Sequence, residues 1–152
     1  MAANTTPIFP LKPFVATAEL ANATGTAITS GAPITGTTGL VVLVPVGASQ
    51  TPTSADGTRI DRVTVRVAGT AVGLNAACQV WLWLYNGTTS WLIDELLVPA
   101  VTSTASTVAG ATVSVGYPNL VLPTTWGLYV STTVTPTDAS GILHISAYGG
   151  TY

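Results

Sequence analysis

Arg62-Val63-Thr64-Val65-Arg66-Val67 decides the fold. Valine takes every second position, and the residues between are Arg or Thr. Successive side chains of a strand point to opposite faces, so this period of two describes a ribbon with one apolar and one polar side. A helix would scatter the same valines around its circumference. Ile60 belongs to the apolar set but stands out of step with Val63, and the slip predicts a local bulge.

Working outward, strand signals recur along the chain. Residues 40–46 are a dense run of Leu and Val, set off from the Arg62 strand by a polar stretch with Pro52 and Asp56-Gly57. Residues 79–85 and 91–98 flank Asn86-Gly87-Thr88-Thr89-Ser90, and Asn-Gly accepts positive φ at little cost, so this is a hairpin. Both flanks carry apolar residues on both faces (Trp81, Leu82, Trp83, Leu84; Leu92, Ile93). That predicts burial on two sides, inside a sandwich or at a subunit interface. Residues 107–115 alternate Thr or Ser with Val or Ala, 120–122 form a short strand stopped by Pro123, and 128–134 follow Trp126-Gly127. Residues 141–148 close the series with Leu143, Ile145 and Ala147 on one side. Only 16–23 allow a turn of helix. About seven or eight strands, with turns every ~8–12 residues, predict an all-β fold: an antiparallel β-sandwich, jelly-roll-like.

Residues 1–14 stand apart from this pattern. Pro7, Pro10 and Pro13 recur every third position, with Ile8, Phe9, Leu11 and Phe14 between them. Proline fixes φ and removes a backbone donor, so the segment reads as an extended N-terminal arm. Its apolar side chains must dock on the domain or on a neighbour. The expected organisation is an arm over 1–14 and a sandwich over 15–152. Ile8, Phe9, Pro10, Leu11, Pro13 and Phe14 are the expected anchors of that docking.

Composition narrows the function. Only 7% of the 152 residues are charged, against about a quarter in a typical soluble domain. Such a surface is poorly equipped to keep monomers apart, so the chain reads as part of an assembly. A net charge of −2 offers no basic footprint for nucleic acid. No apolar run reaches the ~20 residues of a membrane-spanning helix, and the N-terminus lacks a secretory pattern. Cys78 is the sole cysteine, and Ala77 and Val80 beside it predict a buried thiol.

Catalytic groups are scarce. His144 is the one histidine and falls between Leu143 and Ile145, which reads as a structural position on a sheet face. Asp94-Glu95 is the one adjacent acid pair, and strand geometry sends its members to opposite faces. One of them is expected to pair with an arginine. No metal site, cofactor or catalytic residue is expected. Arg59-Ile60-Asp61-Arg62 concentrates charge, and Arg59 and Arg62 are candidates either for pairing within the subunit, with Asp61 or Asp94, or for an interface. Trp81 and Trp83 share a strand face and are expected to pack in a core or between subunits.

The ordered motifs carry a resemblance. Ile8-Phe-Pro-Leu-Lys-Pro13 is followed by Asp56-Gly-Thr-Arg-Ile-Asp-Arg-Val63, then Tyr85-Asn-Gly-Thr-Thr-Ser-Trp-Leu-Ile-Asp-Glu-Leu96. Leu122-Pro-Thr-Thr-Trp-Gly-Leu-Tyr-Val-Ser131 and Ala147-Tyr-Gly-Gly150 complete the set. From about residue 8 to the end, the chain resembles small structural proteins of tailed bacteriophages. The resemblance implies a capsid-associated sandwich, a head decoration (cement) protein without catalytic residues. On this reading the chain resides in the virion at the capsid surface, made in the host bacterial cytoplasm. Its partners are itself, with a homotrimer favoured, and the major capsid protein. The rival reading is a tail-fibre or receptor-binding jelly roll that recognises carbohydrate through Trp and Asn.

Overall fold

The computed structural model describes residues 12–20, 27–47, 57–68, 77–100, 111–133 and 142–152. These form nine strands: β1 (Lys12–Leu20), β2 (Ile34–Thr35), β3 (Val41–Val44), β4 (Thr58–Ala68), β5 (Cys78–Tyr85), β6 (Thr89–Val98), β7 (Thr112–Leu122), β8 (Gly127–Thr132) and β9 (Ile142–Thr151). A four-stranded sheet runs β1-β9-β4-β7 and a five-stranded sheet runs β2-β6-β5-β8-β3. Every pairing is antiparallel. The pairs nest: β5 with β6, β4 with β7, β3 with β8, β1 with β9. Rolling that nested ribbon joins β9 to β4 and β8 to β5, which is the jelly-roll arrangement. β2 is an addition on the outer edge of β6.

The valine alternation does what its period requires. Ile60, Val63 and Val65 are fully buried and Val67 nearly so, while Arg62 and Arg66 face outward. The slip between Ile60 and Val63 is a bulge, where the register of β4 shifts against both neighbours between Ile60 and Arg62. Beside it, Gly149 of β9 lets the backbones close. A Cβ at that position would run into the Arg59 carbonyl. The 86–90 hairpin forms as expected. Gly87 takes φ 95°, and Asn86 Oδ1 accepts from the amides of Thr88 and Thr89 at 3.0 and 2.8 Å.

Three expectations change. Residues 16–20 are not helical but lie in β1, with Ala18 and Leu20 pointing inward. β1 also includes Pro13 and Phe14, which the sequence reading placed in the arm. Proline is tolerated there because β1 is an edge strand. The short strand 120–122 is the end of β7, which passes through Pro118 by a wide irregularity opposite Asp61.

The core lies between the sheets. Phe14, Ile60, Val63, Leu143 and Ile145 on one side meet Val80, Leu82, Leu96, Leu128 and Val130 on the other. Cys78 is buried with them, and burial pushes its thiol up to about 11.

Candidate functional site

Among the described residues, no group of three or more His, Cys, Asp and Glu comes together. What the sandwich presents is two outer faces and one rim, and these differ in chemistry.

The outer face of the four-stranded sheet is polar and arranged in rows by the register. Val15, Tyr148, Arg62 and Gly116 form one row. Thr17, Ser146, Thr64 and Ser114 form the next, and Glu19, His144, Arg66 and Thr112 the third. Arg62 lies 4.5 Å over the Tyr148 ring, a cation–π contact. Thr64 and Ser114 share a hydroxyl hydrogen bond of 3.1 Å. Arg59 donates to both oxygens of Asp61 at 2.7 and 3.2 Å, which holds its guanidinium above its usual pKa. Arg59 therefore pairs within the subunit, and Arg62 sits on Tyr148. His144 is exposed.

The five-stranded sheet has a different outer face. Trp81 and Trp83 point away from the core, with Leu92, Glu95, Tyr129 and Ser131 opposite them. Yet Trp83 is fully buried and Trp81 is 6% exposed. The chain's own segment 27–40 bonds along this sheet. Ile28 N donates to Thr132 O at 3.0 Å, Gly31 lies against the Leu92 side chain, and Ser90 Oγ donates to Gly36 O at 2.7 Å. These indoles thus pack as a second core inside one subunit. Trp83 Nε1 donates to Ser131 Oγ at 2.8 Å. Trp81 Nε1 is buried without a partner.

β6 is exposed on its outer side, against the expectation of burial on two faces. Leu97 is 63% exposed. Asp94 and Glu95 do point to opposite faces. Asp94 meets Tyr117 rather than an arginine, with the phenol donating at 2.5 Å. Glu95 accepts from Gln79 at 3.5 Å.

The rim that carries the 86–88 and 123–126 turns holds the other two indoles. Trp91 and Trp126 stack with centroids 6.3 Å apart at 25°. Trp91 remains partly exposed.

Of the expected interface residues, Ile8, Phe9, Pro10 and Leu11 lie outside the described residues. Pro13 is exposed at the start of β1. Phe14 is packed in the core of its own sandwich. Arg59 and Arg62 share the outer face of β4, with Pro13 and Val15 at the same end of the sheet. Sequence reading missed the outward apolar positions Val15, Val42, Leu97 and Val121. Strand parity carried the signal for Val15, which alternates with Phe14.

No family model matches the chain, and no curated protein sequence matches it. Among solved structures, one titled "Structure of infectious bursal disease virus Gx strain" is similar over the whole of this chain, at 13% identity and a TM-score of 0.27. The chain spans 41% of that chain's length. A TM-score of that size carries no argument about fold or function.

Proposed function

We propose that the chain is a non-enzymatic structural protein of a tailed-bacteriophage virion. In this reading it is a decoration (cement) protein that binds the major capsid protein on the outside of the head, self-associates there and stabilises the shell. The observation that carries the proposal is the character of the outer surface. Leu97, Val15, Val121 and Val42 are 63%, 56%, 50% and 43% exposed, on both sheets. A single exposed apolar side chain needs no explanation. Here they occur in a chain of 152 residues with four Lys and Arg and six Asp and Glu. Covering such surface gains ~25 cal/mol per Å², and a lattice repeats the gain at every site. The resemblance to phage structural proteins supplies the partner. The jelly roll is compatible with a capsid role but also serves lectins and cupins, so it supports no function by itself. The experiment is reconstitution: purified chain mixed with heads that lack it should bind saturably and raise their resistance to heat. Absence of binding removes the proposal.

A second reading rests on the Trp91–Trp126 pair. A partly exposed indole at a loop rim suits the face of a sugar ring, as in a receptor-binding module of a tail fibre. Glycan binding abolished by Trp91→Ala, with no binding to heads, would favour it.

A further inference from the structure

We infer that β7 is a self-pairing edge: two copies of the chain join through their β7 strands, antiparallel about a two-fold axis near Ser114, into one continuous eight-stranded sheet. The inference goes beyond the decoration reading and does not depend on it.

Among the described residues the sandwich has four strand edges, and three are guarded along their whole length. Unpaired edges invite pairing with another chain, and proteins blunt them with short strands, charge, proline or bulges. β2 has two residues. β3 has four and carries a register shift. β1 holds Lys12, Pro13 and Glu19. β7 carries a proline and an irregularity too, but only at residues 117–119. It has eleven residues and no charged side chain, and it closes the four-stranded sheet with nothing paired beyond it among the described residues. Pro118 lies in its irregular part, which leaves 112–116 regular against β4.

The identity of the partner follows from the pattern of that stretch. A two-fold axis sets like beside like. Any charge on the strand near the axis would therefore repel its own copy, and β7 has none. Centred on Ser114, the pairing sets Ser114 opposite Ser114, Val113 opposite Val115 and Thr112 opposite Gly116. On the outer face, the Thr17–Ser146–Thr64–Ser114 row would continue across the axis as hydroxyl pairs, a favourable cross-strand combination. On the inner face, Val113 and Val115 are packed against the core but remain partly exposed. The sheets meet only lightly where β6 faces β7. The second copy would supply the missing cover from its own Val113 and Val115.

The contact is a dimer contact, where the sequence reading favoured a trimer. Cysteine cross-linking tests it. Residues directly opposite in an antiparallel pair lie within disulfide range. Ser114 is exposed, and the native Cys78 is buried. Under mild oxidation at micromolar concentration, Ser114→Cys should convert to covalent dimer at least tenfold faster than Val15→Cys on the opposite edge of the same sheet. In sedimentation the wild type should be a dimer, and Ser114→Lys should be a folded monomer by circular dichroism. Equal cross-linking of the two variants, a wild-type monomer at high micromolar concentration, or a trimer unaffected by Ser114→Lys would each overturn the inference.

Discussion

The Tyr117 hydroxyl donates to Asp94 Oδ2 at 2.5 Å, and this bond ties β7 of one sheet to β6 of the other on the side where the sandwich closes least. Burial first, and then the hydrogen bond to Asp94, raise the Tyr117 pKa. The neutral phenol is the form the fold holds.

Tyr117→Phe should therefore lower stability by about 1.5 kcal/mol, the low end for a hydrogen bond to a charged group because the pair is partly solvated. Urea denaturation at neutral pH measures it. A raised folded-state pKa means that the contribution is intact below the ordinary tyrosine value, 10.0, and is lost as pH rises above it. The difference between wild type and Tyr117→Phe should shrink above that pH. A difference that stays constant or grows contradicts the pairing.

Cys78 titrates in a neighbouring window. Burial lifts its thiol from 9.0 to about 11, so the fold resists forming the thiolate. Its stabilising contribution is complete below pH 9.0 and declines up to about 11. By linkage, roughly 1 kcal/mol should be gone by about pH 10, before discounting for solvent. Cys78→Ala removes that component at a fixed cost in packing. Unfolding curves at pH 8 and 10 should show a smaller loss in the variant than in wild type.

Ser131→Ala leaves the Trp83 indole N–H buried without its acceptor. The cost should be about 1–3 kcal/mol. In acrylamide quenching, Trp81 and Trp83 should remain protected and Trp91 accessible, because the first two are buried within the single chain. A free subunit in which all four indoles quench equally would contradict that burial.

Phe9 and Phe14 should behave differently although the sequence presents them as a pair. Phe14 is a core residue, and Phe14→Ala should cost about 3–5 kcal/mol of stability. On the decoration reading, deletion of residues 1–11, or Phe9→Ala, should leave the sandwich folded and weaken attachment to heads. Thermal melts together with head binding separate the effects. Normal decoration by the deletion variant would make the arm dispensable.

The strands and the β4 bulge were legible because period two and a broken period are properties of sequence alone. The nested pairing was not, since no residue in β1 names β9 as its partner. That residues 16–20 are strand and not a turn of helix has a physical source. Ala, Thr and Glu are permissive in isolation, and the pairing of Ala16 with Ala147 and Ala18 with Ile145 decides their conformation. Phe14 sat among prolines and looked like arm, whereas its parity with Ala16, Ala18 and Leu20 places it in the core. For the candidate site, the Arg59–Asp61 pair was readable from spacing. The burial of Trp81 and Trp83 on the outer side of their sheet was hidden, because strand alternation does not tell whether an outward face is covered by the same chain.

The most direct test of the decoration reading is the position of the chain on intact virions. On that reading, cryo-electron microscopy of virions that carry the chain, compared with particles assembled without it, should show sandwich-sized density added on the outer surface of the head at lattice-related positions. Density confined to the tail or its fibres, or particles indistinguishable with and without the chain, would contradict it.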